Sequence, residues 1–197
     1  MTNATLALTL LVAGSAAAQS EAEQLDPMTP FDGGNVALLA EGGSSLGQGF
    51  GGVSLEARAA SQLAYVQAEL KMGFAAFKLE NIYLGGAARI GIWFPVGPIL
   101  LAPYVGIVVD TPPGSAAKPA FDAGGTLVLP LHRRFVLEAT PRIFGTYQGF
   151  DAWVVEGRGI WRYSNYVDLA GGIRYEKLNR GANQPDTVFT VFVGLTR

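Results

Sequence analysis

The sequence predicts an all-β fold, a closed antiparallel up-and-down transmembrane β-barrel of ten strands with a polar lumen, with eight strands as the alternative. Three observations predict it. Ten segments carry apolar residues at every second position, which is the side-chain period of a β-strand. Short and longer connections alternate between these segments. The charges within the segments lie on the face opposite the apolar one.

The hairpin at 153–176 shows the period most clearly. Trp153 and Val155 share one face of its first strand, whereas Glu156 and Arg158 share the other. A turn follows, and the alternation then resumes along the second strand. The hairpin therefore has an uncharged face with aromatic ends and a face that carries charges of both signs.

The other strands follow in chain order with the same period. Each places aliphatic residues on one face and more polar residues on the other. They span 35–41, 51–58, 63–72, 82–93, 99–110, 121–129, 135–144 and 187–197.

The connections sort by length between the two ends of the predicted barrel, as they do in bacterial outer-membrane barrels. Pro103 and Pro141 lie within strands, where proline removes a ladder hydrogen bond, so we expect bulges there. The short connections are 59–62, 94–98, 130–134 and 162–165. The longer ones are 42–49, 73–81, 111–120, 145–151 and 177–186.

The composition excludes several classes of protein. Of the 197 residues, 49% are hydrophobic and only 15% are charged, against about 25% charged in ordinary soluble domains. The formal net charge is −2 and no basic patch is visible, so we expect no nucleic-acid partner. The chain has no cysteine, which excludes disulfides, thiolate metal sites and cysteine nucleophiles.

The N-terminus resembles a secretory signal. An apolar run at 4–12 is followed by the small residues Ala16, Ala17 and Ala18, which predicts a signal peptide at 1–18. Its first residues contain no lysine or arginine, and a buried N-terminal helix is the alternative. We expect an exposed lead-in at 19–32 and the barrel at 33–197. No apolar run reaches the roughly 18 residues of a transmembrane helix.

The charges on the strands are balanced, nine acidic to seven basic, and every one lies opposite the apolar face. A solvated face usually carries many lysines, whereas glutamate and arginine can pair inside a narrow lumen. The apolar face would then contact lipid, where a sheet has to close on itself. The sixteen charges are Glu41, Glu56, Arg58, Glu69, Lys71, Arg89, Asp110, Asp122, Glu138, Arg142, Glu156, Arg158, Arg162, Asp168, Arg174 and Glu176.

Aromatic residues gather near both ends of the strands, which predicts two girdles at the two membrane interfaces. Those near the short turns are Trp93, Phe94, Phe135, Trp161, Tyr163 and Tyr166. Those near the longer loops are Phe50, Phe121, Phe144, Tyr147, Phe150, Trp153 and Tyr175.

This pattern resembles the small outer-membrane β-barrel proteins of Gram-negative bacteria, the class of the OmpA transmembrane domain and OmpX. The resemblance covers about 33–197, and it implies a location in the bacterial outer membrane. It also implies outer-membrane lipid and the barrel-assembly machinery as partners. The residues that fit the closing strand of the class are Phe189, Val191, Val193 and Leu195. Arg197 stands where that class has a terminal aromatic residue.

Twelve charged side chains are the candidate site, an ion network inside the lumen. One interpretation is a structural plug, since barrels of this size are narrow enough for side chains to fill. The other is a polar ion path or a general-acid pair. The pairs Glu56/Arg58, Glu138/Arg142 and Glu156/Arg158 share a face and could meet. The twelve are Glu56, Arg58, Glu69, Arg89, Glu138, Arg142, Glu156, Arg158, Arg162, Asp168, Arg174 and Glu176.

No catalytic or cofactor site is expected. His132, the single histidine, lies in a short turn. Catalytic outer-membrane barrels resemble one another in placing histidine near the loop side, so a turn residue is favoured over a catalytic base. Asp110 and Asp122 flank a loop without metal-ligand spacing, so we expect no metal.

Two functions remain open at this point. The first is a non-enzymatic outer-membrane barrel that acts as a structural protein, through its loops, or as a narrow channel. The alternative is an exported soluble barrel, similar to a lipocalin, that binds an apolar ligand with its apolar face turned inward.

Overall fold

The strands of the computed structural model form one antiparallel sheet. The structure describes residues 33–45, 48–111, 118–146, 149–179 and 185–197. The predicted signal peptide at 1–18 and the predicted lead-in at 19–32 therefore lie outside the described residues. Among the described residues, no helix has the length and apolar character needed to cross a membrane. The strands are β1 (Gly34–Ser45), β2 (Gln48–Ala60), β3 (Ala64–Ala75), β4 (Ile82–Ile92), β5 (Phe94–Val96), β6 (Ile99–Thr111), β7 (Lys118–His132), β8 (Phe135–Thr146), β9 (Gly149–Arg162), β10 (Asp168–Asn179) and β11 (Pro185–Thr196).

The sheet closes into a barrel. Each strand pairs with its neighbours in chain order, the first strand pairs with the last, and both β4 and β5 pair with β6. Because β5 continues the line of β4 beyond Trp93, the two count as one strand of the wall. The wall therefore has ten strands, which confirms the predicted closed antiparallel barrel and its strand count.

The connections differ from the prediction because the strands are longer than their apolar segments. Ser45 pairs with Gln48, and Thr146 pairs with Gly149, so the strands run through most of two predicted loops. At the other end, residues 163–167 form one of the longer connections. The predicted sorting of connections by length is therefore wrong. The residues at these strand ends are mostly glycine and polar residues. The alternation of apolar residues therefore could not predict that they pair.

The predicted bulges at the two prolines are also wrong. Pro103 pairs in regular register with Gly125. The register between β7 and β8 is the same on both sides of Pro141, and its shift lies between Pro130 and His132. Both prolines are exposed on the outside of the barrel, where the missing N–H removes a bond without forcing an extra residue into the strand.

The alternation of the two faces is the property that positions the site. Val155 is 45% exposed on the exterior, whereas Arg158 is 8% exposed and lies in the lumen. The exterior is built of leucine, isoleucine and valine side chains, and the described charges that are exposed lie at turns and strand ends. The polarity of this barrel is therefore inverted relative to a soluble one.

The lumen also contains an apolar layer that the sequence did not predict. It lies toward the end of the barrel at which residues 61–63, 97–98, 133–134 and 163–167 connect the strands, which we call the short-turn end; the opposite end is the loop end. Tyr65 donates a hydrogen bond from its hydroxyl to the carbonyl of Ala102 at 3.0 Å within this layer. The buried members of the layer include Ala37, Leu39, Tyr65, Ala102, Val128, Val136, Ile160 and Ala170.

Candidate functional site: the ion network in the lumen

The twelve predicted network residues all lie on the lumen face, with buried or half-buried side chains. They come from six of the ten wall strands, because each strand turns every second residue inward. Most of them form two groups at mid-height, above the apolar layer. The pair Arg162–Asp168, at 3.8 Å, lies apart from these groups at the short-turn end.

Arg158 and Arg174 are the centre of the first group. Arg158 donates to both carboxylate oxygens of Glu56, each at 2.8 Å, and to Glu156 at 2.9 Å. Arg174 donates to the other oxygen of Glu156 at 2.8 Å and to Glu41 at 3.5 Å. Glu156 therefore bridges two guanidinium groups, and bonds between charged partners of this kind are roughly twice as strong as neutral ones.

The second group forms around Arg89. This guanidinium donates to Glu69 at 2.9 Å and to the Oδ2 atom of Asp122. Lys71 lies 2.8 Å from the other oxygen of Glu69. Arg142 reaches Asp122 only at 3.9 Å, so Arg89 holds that carboxylate more closely.

Of the three pairs expected within single strands, the structure forms one. Glu156 and Arg158 meet on β9. Glu56 binds Arg158 instead of its neighbour, and Arg58 reaches Glu138 at 3.5 Å. The remaining pairs differ because partners across the lumen come closer than residues two or four apart on one strand.

Five residues of the network were not among the predicted site residues. Glu41, Lys71 and Asp122 lie on the lumen face by the same alternation, so the sequence carried the signal for all three. Ser54 donates from its hydroxyl to Glu41 at 2.8 Å. The fifth is aromatic: the ring of Phe192 lies 5.3 Å from the Arg158 guanidinium and 5.7 Å from that of Arg174. Such distances allow cation–π attraction.

Space for the Phe192 ring comes from a glycine on the neighbouring strand. A Cβ atom on Gly172 would lie 2.6 Å from that ring and 2.1 Å from the carbonyl oxygen of Gly157. Only a residue without a side chain fits there. The alternation of faces along one strand cannot predict that position 172 must be glycine, because the need for glycine arises from contacts with the neighbouring strands.

A cavity of about 30 Å³ lies within the network. Arg89, Arg142 and Arg158 line it, and each has a buried nitrogen without a hydrogen-bond partner in the protein. A cavity needs roughly 10–15 Å³ to hold one water molecule, so this one has room for about two. Water could therefore complete these hydrogen bonds.

The aromatic residues divide between the two faces. Phe94, Trp161 and Tyr166 are exposed at the short-turn end, and Phe121, Trp153 and Tyr175 are exposed toward the loop end. The prediction is wrong for three others, which lie on the lumen side. Trp93 packs on the apolar layer, Phe50 lies edge-on to Tyr83, and Phe144 lies under the Arg142 guanidinium.

His132 lies in the turn between β7 and β8. It is exposed, and its Nδ1 atom accepts a hydrogen bond from the backbone N–H of Arg134 at 3.3 Å. Within the described ranges, no group of three or more histidine, aspartate or glutamate side chains could hold a metal ion.

Arg197, the last residue of the described range 185–197, completes the seam between the last and first strands. Its backbone exchanges hydrogen bonds with Val36 in both directions. Its guanidinium lies over the ring of Tyr166, 5.4 Å from the ring centre. The side chain at this position is therefore cationic and packs on an aromatic ring from the β9–β10 turn.

No protein-family model matches the chain, and no curated protein matches it. Among solved structures, Neisserial surface protein A (NspA) aligns with TM-score 0.39 and 11% identity, over 83% of this chain and 92% of that chain. The translocator domain of autotransporter NalP from Neisseria meningitidis aligns with TM-score 0.43 and 13% identity, over 98% and 97%. The KdgM porin, solved in complex with disordered oligogalacturonate, aligns with TM-score 0.43 and 8% identity, over 81% and 97%. These neighbours are bacterial outer-membrane barrels. With identities under 25% and TM-scores under 0.5, the likeness assigns neither a family nor a function to this chain.

Proposed function

We propose that this protein is a non-enzymatic β-barrel of the bacterial outer membrane, exported by the signal at 1–18. We also propose that its lumen is a closed plug and that its loop end carries its interactions. The observation that carries the proposal is the inverted polarity: apolar side chains are exposed outside and charged side chains are buried inside.

The dimensions of the exterior support a membrane location. On β9, Trp153 and Trp161 are both exposed and mark a stretch of nine residues. A tilted strand needs about 9–11 residues to cross a bilayer. A soluble protein rarely exposes contiguous apolar patches above a few hundred Å², whereas here the apolar surface runs around the wall.

The soluble, lipocalin-like alternative needs the opposite arrangement. It would place Val155 and Leu169 in the lumen around an apolar ligand, but both lie outside. The lumen instead buries paired charges such as Glu56 and Arg158. An apolar ligand cannot replace the hydrogen bonds of those groups, so binding there would leave buried charges without partners.

Two features support a plug over a conducting channel. The ion network fills the lumen at mid-height and leaves a cavity of about 30 Å³. Below it, Leu39, Val128 and Val136 are fully buried in the apolar layer. A permeating ion would have to break buried ion pairs and then cross this layer without polar ligands, and both steps are costly.

The structure also offers a reason to expect no catalysis in the lumen. Glu56, Glu69 and Glu156 each bind at least one arginine. Guanidinium groups engage oxygens of all three carboxylates, so these groups are not open to a substrate. The interactions of the protein are therefore assigned to its loop end.

Two measurements test the proposal. The folded protein should enter lipid vesicles and migrate faster on a gel before boiling than after it. In planar bilayers it should give no conductance steps, with a known open porin as the positive control. Recovery in the soluble periplasm would contradict the membrane location, and regular conductance steps would contradict the plug.

A further inference from the structure

Arg142 is a buried cation that the ion network leaves without a close partner. Its side chain is 6% exposed, and the carboxylate of Asp122 lies 3.9 Å from its Nη1 atom. Arg89 binds that carboxylate more closely. The ring of Phe144 lies 5.1 Å from the Arg142 guanidinium, and the Nε atom has no hydrogen-bond partner in the described part of the chain. A buried charge without hydrogen bonds is costly, so this guanidinium needs an acceptor.

The cavity of about 30 Å³ that Arg142 lines is surrounded mainly by hydrogen-bond donors. Arg89 and Arg158 also line it, and the Nη2 atom of the first and the Nε atom of the second lack hydrogen-bond partners among the described residues. The hydroxyls of Thr126 and Thr140 lie 3.0 Å apart in the same lining. Since one of them donates to the other, the second keeps a proton that it can donate to a bound acceptor.

The carboxylates of the lining are already held by cations. Four glutamates and four arginines line the cavity, so the arrangement of donors, and not a net charge, decides which ion fits. Two glutamate oxygens lack a hydrogen bond, but Lys71 lies 2.8 Å from Glu69 Oε1 and Arg58 lies 3.5 Å from Glu138 Oε1. A bound cation would meet guanidinium groups, and a water molecule would bring hydrogens of its own to a site that needs acceptors.

We propose that the cavity beside Arg142 binds one small monovalent anion of the size of chloride, with the Arg142 guanidinium as its main ligand. A halide takes up less room than the water molecules, about two in number, for which the cavity has space. The larger tetrahedral anions sulfate and phosphate do not fit. The bound anion completes the hydrogen bonds of a buried cation. This site goes beyond the proposed function and does not depend on the membrane location, because it lies inside the barrel.

The test uses the full chain, folded in a detergent solution that contains no halide. Crystals soaked in sodium bromide should show one anomalous peak within hydrogen-bond distance of the Arg142 guanidinium. Urea unfolding measures binding in solution, with chloride exchanged for gluconate at constant ionic strength, since gluconate is too large to enter. Once chloride exceeds its dissociation constant, a tenfold rise in its concentration should raise the ratio of folded to unfolded protein about tenfold.

Arg142→Gln should abolish the dependence of stability on chloride, and Arg142→Lys should retain part of it, because an ammonium group also donates hydrogen bonds. The matched control is Lys78→Gln in an exposed connection, which should respond to chloride as the unmodified protein does. If Arg142→Gln does not fold, the bromide peak and Arg142→Lys decide.

Three results would overturn the inference. The first is a dependence on chloride that persists in Arg142→Gln, and the second is an equal effect of gluconate, since both indicate a general effect of salt. The third is a bromide-soaked crystal in which the cavity beside Arg142 holds water alone.

Discussion

Arg158 shows how a single side chain holds this lumen together. It binds Glu56, which is 102 positions away in the chain, and Glu156, which is two positions away. The ring of Phe192 lies against its guanidinium. A buried ion pair adds little net stability over an apolar pair, but removal of one partner leaves a buried charge without compensation. A substitution of Arg158 alone should therefore lower the stability of the protein more than replacement of the whole ion pair by apolar residues.

We expect Arg158→Met to lower the free energy of unfolding by about 3–5 kcal/mol, because Glu56 and Glu156 would lose their partner. Urea unfolding of the protein folded in vesicles measures the change. The matched control is Lys78→Met, whose exposed pair with Glu80 at 3.7 Å should contribute less than about 1 kcal/mol. The double variant Glu56→Gln/Arg158→Met should recover part of the loss. Equal stability of the two single variants would contradict this account of the network.

At the scale of elements, β10 shows what the alternation of apolar and polar residues predicts correctly. Ile173 is 54% exposed on the exterior, and the next residue, Arg174, is 2% exposed in the lumen. The period also located every wall strand, from the hairpin of β9 and β10 to β1, of which only 35–41 were predicted. It did not locate the strand ends, because the pairs beyond the apolar band, such as Ser45 with Gln48, follow no apolar pattern.

Ile173→Arg should cost roughly 2–4 kcal/mol in vesicles, since the side chain would face hydrocarbon near the middle of the wall. Ile173→Leu is the control, and we expect it to be nearly neutral. The fraction of chains that fold into vesicles at increasing urea reports the difference. If the arginine variant is as stable as the leucine variant, the exterior contacts water and the soluble alternative is favoured.

At the scale of the whole molecule, closure satisfies the backbone of the sheet. The first and last strands pair along nine residues of each strand, from Ala37 with Thr196 to Ser45 with Val188. In lipid an open edge would leave backbone N–H and C=O groups without partners, at several kcal/mol for each group. In the lipid bilayer that we propose as its surroundings, the sheet therefore has to close into a barrel.

Closure can be tested with a disulfide, because the chain has no cysteine of its own. Leu38 and Leu195 are direct partners across the seam, so cysteines at both positions should form a disulfide upon folding. A shift on a non-reducing gel measures it. The control pair at Leu38 and Ile107 lies four strands apart in the wall and should remain reduced. Absence of the disulfide in the seam variant, with folding otherwise intact, would contradict the pairing of β1 with β11.

The sequence by itself determined which side of the wall each residue occupies, because adjacent side chains on a strand point in opposite directions. That was sufficient for the closed barrel, the charged lumen and the apolar exterior. Only the tertiary structure decided which charges meet. Partners such as Glu56 and Arg158 depend on the register and tilt of many strands, and these set the height of each side chain in the lumen. The apolar layer arises in the same way, since it collects residues from distant strands at one height.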